Sequence, residues 1–387
     1  MRANIGVVFG GKSVEHEISI ISAIEVMNYL DSNKYNVIPI YVDKENTWYT
    51  GMHLKDILHY RDIDLVKRYA TKVSLVKDDK RILLRKINFP KKDLHILDLI
   101  IPIGHGAYLE DGNLQGYLTT LGIAYTGSST LASAIGQDKV ITKQLLQAND
   151  IAVVPYTWFY DYQFQKSSKE IINKIEKELK YPLFVKPATL GSSIGVAKVS
   201  DAKELSTAIK NAIVLDKKIL VEEAINNPKE LNISVMGDYE KQEVSAIEEI
   251  NVDDEFYTFK EKYVDGLNKV RPLKKGSKII SKELQMAVEE TALKAFQIIN
   301  ASGIIRVDFL FDSKANKLYV NEINTCPGSL AQYLWLESNV RGPELLDDYI
   351  KIAIKNRDKR REKKEAFAGN LLENYDNLRG KKNKKSE

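Results

Sequence analysis

The sequence predicts an α/β protein: an N-terminal parallel α/β lobe followed by a two-lobed domain of mixed α and β structure. Three observations carry that expectation. In the first 125 residues, short apolar runs alternate with helical patterns, as strands and crossover helices of a parallel layer do. Glycine turns follow two of those runs, at Gly10–Gly11 and at Gly104–Gly106, where open α/β sheets bind ligands. Farther on, strand-like runs come in neighbouring pairs, 230–237 with 243–250 and 304–312 with 317–324, which reads as antiparallel pairing.

The elements follow in order. IGVVFGG (5–11) is a buried strand meeting a Gly-Gly turn, with a helix over 19–30 and a second strand, VIPIYVD, over 37–43. Residues 44–95 are mixed and charged and read as a peripheral insertion. LDLIIPIGHG (97–106) is a third strand ending in a glycine loop, followed by strand and turn at 122–128 and a helix over 131–148. PLFVKPA (182–188) runs into a Gly/Ser loop; a helix over 201–212 and the strand KILVEEAI (218–225) come next. Residues 251–276 are long and polar for a loop inside a compact domain, which suggests a functional segment. A helix over 281–301 precedes a hairpin turning near Asn316. The expected units are residues 1–125, 126–214, 215–355 with a lid over 251–272, and a basic tail over 356–387.

A chain of 387 residues is longer than one hydrophobic core usually serves, so two or three packed units are expected. The single cysteine, Cys326, leaves no internal disulfide and suits a reducing cytoplasm. No run approaches the ~20 apolar residues of a membrane span, and the N-terminal apolar stretch is too short for a signal peptide. Charge is uneven: from Lys351 onward thirteen Lys/Arg face six Asp/Glu, so the net +4 hides about −3 in the first 350 residues. With almost no aromatic interleaving, the tail reads as a solvated helix with a frayed end, not a nucleic-acid arm.

The residues that carry chemistry cluster in motifs. Arg306 and Asp308 share one strand face, as do Glu322 and Asn324. A hairpin sets the pairs side by side, and two carboxylates with a carboxamide make an all-oxygen site suited to Mg²⁺ that shares its shell with phosphates. Surface ion pairing is the plainer alternative. Lys186 ends a strand before Gly191–Ser192–Ser193–Ile194–Gly195, a loop whose backbone N–H groups could cradle phosphate. It matches neither GxxxxGK[ST] nor GxGxxG and could be only a hairpin turn. VEEAI (221–225) could present backbone to a base and carboxylate to a sugar. Glu15, after the first glycine turn, could hold an ammonium or merely cap a helix. GHGAYLEDGNLQG (104–116) offers His105, Glu110 and Asp111. FYTFKEKYVDG (256–266) has aromatics and lysines that suit a lid.

In this order the motifs GGKSVEHEIS, HG…EDGNLQG, GSS…SA…DK…K, FVKPATLGSSIGV, VEE…E, FYTFKEKY, RVDF and NEINTCPG resemble the D-alanine–D-alanine ligase family of ATP-grasp enzymes, over residues 4–350. The resemblance implies a three-domain ATP-grasp fold and a two-step ligation for cell-wall precursor. One amino acid's carboxylate attacks the γ-phosphate of ATP, and a second amino acid's amine attacks the resulting acyl phosphate. By position, Glu15 would anchor the first ammonium, with His105 lining that subsite and Ser192 and lid residue Tyr263 closing it. Lys139, Lys186 and Lys262 would contact phosphates. Glu222, Glu223 and Ile225 would form the adenine hinge, and Glu230 would hold ribose. Asp308, Glu322 and Asn324 would ligate two Mg²⁺ ions, or Mn²⁺ in their place. Arg306 and the Gly328 N–H would form the oxyanion hole, a feature often worth ~3–4 kcal/mol per donor. A homodimer is implied as well.

Three departures from the family pattern stand out. Leu109 replaces a glycine before EDG, and the hinge loop NNPKE is one residue longer. After Pro327–Gly328 the family pattern PGxTxxSLxP is absent, and Tyr333 stands at the position of the serine that helps hold the second substrate's carboxylate. Tyr333 and Leu334 would thus line an altered acceptor pocket. The expected activity is D-alanine to D-alanine ligation. The rivals are a different acceptor such as D-serine, D-lactate or another amine, and a non-catalytic ATP-binding regulator. Tyr263 in the lid favours an amine over a hydroxy acid, and the full metal and phosphate set disfavours the regulator.

Overall fold

The computed structural model describes residues 2–250 and 280–363. Its first sheet has eight strands in the order β6-β5-β4-β3-β2-β1-β7-β8. Chain order runs β1 (Ala3–Gly10), helix α1 (His16–Tyr29), β2 (Tyr35–Val42), β3 (Trp48–Thr50), α2 (Ile63–Tyr69), β4 (Thr71–Asp78), β5 (Arg81–Lys86), β6 (Lys92–Leu97), β7 (Leu99–Ile103), α3 (Asn113–Leu121) and β8 (Ala124–Tyr125). β1 pairs in parallel with β2 and β7, and β7 with β8. These strands are apolar without alternation, with Val7, Val8, Phe9 and Ile100 fully buried, because both faces are covered. Residues 44–95 differ from the expected peripheral insertion. They continue the same sheet as antiparallel β3–β6, since alternate residues such as Val73, Leu75, Ile82 and Leu84 complete a buried face.

Asp138 divides the expected 131–148 helix in two: α4 (Thr130–Gln137) and α5 (Lys139–Gln147). Its carboxylate accepts from the N–H groups of Val140 and Ile141, so it starts a new helix as an N-cap. The second sheet has the order β11-β10-β12-β9. It is built from β9 (Tyr156–Tyr160), α6 (Asp161–Glu178), β10 (Leu183–Pro187), β11 (Ala197–Val199), α7 (Ala202–Ala212) and β12 (Lys218–Glu223). β12 pairs antiparallel with both β10 and β9. This corrects the boundary at residue 215, because β12 belongs to the second unit. Helices α6 and α7 cover one face, burying Phe164, Ile175, Leu205 and Ile209 against Val185 and Val221.

The third sheet has the order β14-β13-β15-β16, formed by β13 (Lys229–Gly237), β14 (Gln242–Ile250), β15 (Gly303–Asp312) and β16 (Lys317–Asn324). Helix α8 (Lys282–Ile298) packs on it through Val288, Ala292, Ala295 and Phe296. Leu146 of α5 joins the same core, so α5 lies between the second and third sheets. The short α9 (Gln332–Glu337) and the long α10 (Gly342–Glu362) return the chain to the first lobe, where Leu345, Leu346, Tyr349 and Ala353 share a core with Ile20, Ile24 and Met27 of α1. The expected basic tail over 356–387 therefore begins inside α10, where Asn356 donates to Ser302. Among the described residues no helix is long and apolar enough to cross a membrane.

Candidate active site

A cavity of about 320 Å³ opens where the three sheets meet. One wall is the β15–β16 hairpin. Antiparallel register sets Arg306 opposite Asn324 and Asp308 opposite Glu322, so the period of two brings all four to one face. Arg306 grips Asp308 at 2.6 Å from Nε and 2.8 Å from Nη2, and the Asn324 amide donates to Asp308 at 3.1 Å. Burial opposes the Arg306 charge, yet Asp308 holds its pKa well above the usual range. Asn232 of β13 lies opposite Asp308, and with Glu230 it extends this wall.

The opposite wall comes from the first lobe. Ser19 of α1 accepts from the Gly10 N–H at 2.8 Å and donates to the Ile103 carbonyl, which fixes α1 against the ends of β1 and β7. That places Glu15, 7 % exposed, at the cavity, where the Ser192 hydroxyl donates to it. The Gly/Ser loop can come this close because its first residue is glycine: a Cβ on Gly191 would lie 2.9 Å from a Glu15 carboxylate oxygen. Ser192 and Ser193 hold positive φ of 53° and 58°, a conformation that costs L-residues roughly 1–2 kcal/mol each. Burial raises the Glu15 pKa, opposed by Ser192 and Lys139. His105 meets the Ser22 hydroxyl at 3.1 Å, and burial lowers it to about 4, so it is neutral near pH 7. Glu110 accepts from the Gly106 and Cys326 N–H groups at 3.0 and 3.2 Å, and burial beside Glu15 raises it to about 8.

Between these walls stand Lys139 and Lys186. Lys139 donates to the Leu190 carbonyl at 2.6 Å and lies 3.8 Å from Glu322. Lys186 is ion-paired with Glu222. Gly328 faces open space, with nothing within 4 Å of where its Cβ would be. Ser329, Leu330 and Ala331 follow in the left-handed region, with φ of 47°, 56° and 50°. The Ser329 N–H donates to Ser22 at 3.2 Å and its hydroxyl to Glu25, pinning this turn to α1.

Glu15, His105, Ser192, Lys139, Lys186, Glu230, Arg306, Asp308, Glu322, Asn324 and Gly328 thus meet in one cavity. Others do not. Glu222 is 1 % exposed, with its two oxygens turned to the ammonium groups of Lys143 and Lys186. Glu223 closes β12 and accepts from the Lys180 N–H at 2.9 Å, and neither it nor Ile225 lines the cavity. Leu334 is buried at 1 % exposure and presents no surface to a substrate. Tyr333 does not line the cavity; Arg306 and Glu248 are its charged neighbours, and burial raises its pKa. Lys262 and Tyr263, with the expected lid, lie outside the described residues. Leu109 fills the space beside Gly11 and Gly104, which accounts for a leucine where the family has glycine. Glu110, which the 104–116 motif offered, also lines the cavity, whereas Asn232 was not among the expected site residues. For Asn232, alternation from Glu230 on the same strand was the available signal.

The donor set fits a hard cation. Asp308, Glu322 and Asn324 supply only oxygen, and among the described residues no cluster of three His, Cys, Asp or Glu offers a fuller cage. Such a partial shell suits Mg²⁺ that completes its coordination with phosphates.

Comparison with known proteins identifies the family. Residues 4–128 match the family described as D-ala D-ala ligase N-terminus, and residues 145–350 match D-ala D-ala ligase C-terminus. The chain is 40 % identical over 359 residues to a D-alanine–D-alanine ligase of Thermosipho melanesiensis, covering 91 % of this chain and 93 % of that one. It is 36 % identical to that of Geobacillus kaustophilus over 92 % and 95 % of the two chains. Among solved structures, a D-alanine–D-alanine ligase from Coxiella burnetii superposes with a TM-score of 0.79 at 29 % identity, covering 93 % of this chain and 96 % of that one. The VanG D-Ala:D-Ser ligase of Enterococcus faecalis superposes with 0.74 at 28 %, covering 91 % and 100 %. The chain belongs to the D-alanine–D-alanine ligase family.

Proposed function

We propose that this enzyme joins two D-alanine molecules at the expense of ATP, through an acyl phosphate, to make a peptidoglycan precursor in the cytoplasm. The observation that carries the reading is the convergence in one cavity of a buried Glu15–Ser192 pair, two lysines and the Arg306–Asp308–Glu322–Asn324 face. Glu15 binds the first amino acid's ammonium, which compensates its buried charge, and neutral His105 borders that subsite. Lys139 and Lys186 hold the phosphates as point charges, and Glu230 takes the ribose. Asp308, Glu322 and Asn324 would hold two Mg²⁺ ions, or Mn²⁺, whose chemistry is to neutralise charge developing on phosphate oxygens. Arg306 keeps guanidinium N–H groups beyond the two given to Asp308, and with the Gly328 N–H it stabilises the oxyanion when the second amine attacks. From the family we also infer a homodimer; exposed Met52, Leu58 and Tyr69 on the first lobe support a contact there.

A second reading keeps the first step and changes the acceptor. Tyr333, whose phenol meets Glu248 beside Arg306, favours it. Phosphate release with ATP and D-alanine alone, then with D-serine, D-lactate and other amines added, tests both. Release with D-alanine alone supports the first reading. Release only with another acceptor would replace it by the second, and none at all would sink both.

A further inference from the structure

We propose that Lys143 is a positioning residue that leaves a surplus positive charge on Lys186 by sharing Glu222 with it. Lys143 sits one turn into α5, 1 % exposed, with Nζ 3.1 Å from Glu222 Oε2. Lys186 reaches the other oxygen of the same carboxylate. Among the described residues Glu222 is the one carboxylate within ion-pair distance of either ammonium. Two ammonium groups and one carboxylate carry a net charge of +1. Lys186 alone of the three lines the cavity, so that is where the surplus can act.

The helix that carries Lys143 is firmly held. At its start Asp138 takes the Lys218 ammonium, and the Lys139 N–H donates to the Ala188 carbonyl at 3.0 Å. Val140 packs with Ala188 and Leu220 on the face of the second sheet. Lys143 therefore meets Glu222 from a fixed position. Burial lowers the Lys143 pKa, opposed by Glu222, and would raise that of Glu222, which the two lysines hold down to about 2. A lone ammonium at this depth would be strongly disfavoured, and the Glu222 carboxylate is what opposes loss of the Lys143 proton. In return Lys143 draws off half of the carboxylate. Without it, Glu222 would be a full counter-ion to Lys186, and a phosphate ligand would have to compete with that carboxylate for the ammonium.

The inference rests on reading the cavity as a nucleotide-phosphate site, and the test separates the two. ADP with Mg²⁺ is titrated calorimetrically into the full-length chain, and kcat and KM for ATP are measured alongside. No ADP binding by the unsubstituted chain would overturn the nucleotide reading and this one with it. In Lys143→Met, Kd for ADP and KM for ATP rise about tenfold, the size of one charge-assisted contact, while kcat changes less than about threefold. In Lys143→Met/Glu222→Gln, the neutral amide no longer competes for Lys186, and Kd returns to within about threefold of the parent. An unchanged Kd in the single variant, or a double variant as weak as the single, would overturn the proposal. If the single variant is insoluble, the double variant alone decides: parental affinity supports the proposal, and a tenfold loss overturns it.

Discussion

The strand wall of the cavity and the wall from the first lobe treat buried charge in opposite ways. On the strand wall Asp308 is gripped by Arg306 through two contacts, and Glu322 lies 3.8 Å from Lys139. On the first-lobe wall Glu15 has a serine hydroxyl and Glu110 two backbone N–H groups. Neutral donors compensate desolvation less than a cation does. Glu110 is accordingly raised to about 8 and His105 lowered to about 4. One wall is built for permanent charge, which phosphate chemistry requires. The other holds groups whose charge depends on what binds beside them, as a site for a zwitterion can.

Three experiments sharpen or break that contrast. The largest effect belongs to the strand wall. Glu322→Ala lowers phosphate release from ATP and D-alanine on the order of 10³-fold, the scale of losing one preorganised charge contact. Turnover near the parental rate would remove Glu322 from the site of developing charge.

The next effect is on stability and belongs to the first lobe. The Glu110 carboxyl is raised from 4.5 to about 8 in the folded chain. Between those pH values the unfolded chain loses this proton and the folded chain keeps it. Folding is therefore favoured most below pH 4.5, and the advantage is lost as pH rises to about 8. Glu110→Gln should flatten urea midpoints across this range, changing the stability difference between its ends by up to about 5 kcal/mol. Equal slopes in parent and variant would mean that Glu110 is ionised throughout, and the contrast between the walls would fail.

The smallest effect lies on α9, which follows the turn after Gly328. Tyr333→Ser shifts the ratio of kcat/KM values between D-alanine and D-serine as acceptors about tenfold, with KM for ATP within about twofold. If neither changes, Tyr333 serves packing and its hydrogen bond to Glu248, not acceptor choice.

Much of the strand wall was legible in the sequence. Arg306, Asp308, Glu322 and Asn324 alternate on two adjacent strands joined at Asn316, which adopts φ of 50° at the turn. Period-two geometry is local, so it can be read without knowing the rest of the fold. The glycine turns that place Glu15 and His105 were legible for the same reason. The pairing of Glu222 was not legible because its partner is distant. Lys143 comes from α5, in a part of the chain where spacing says only that a helix runs past. Leu334 was misread because a left-handed turn at Ser329–Ala331 redirects the side chains after it. Residues 44–95 looked peripheral because their short strands complete a buried face only when β2 is beside them.

By itself, the sequence determined the flanking strands of the site, the order of the motifs and the family, since these depend on near-neighbour patterns and on residue identity at given positions. Tertiary structure decided which carboxylates are paired and which stay titratable, that β12 belongs to the second sheet, and that two lysines share Glu222. Those outcomes depend on burial and on Coulombic contacts between groups far apart in the chain. Both vary steeply with distance and desolvation, and no local spacing encodes either.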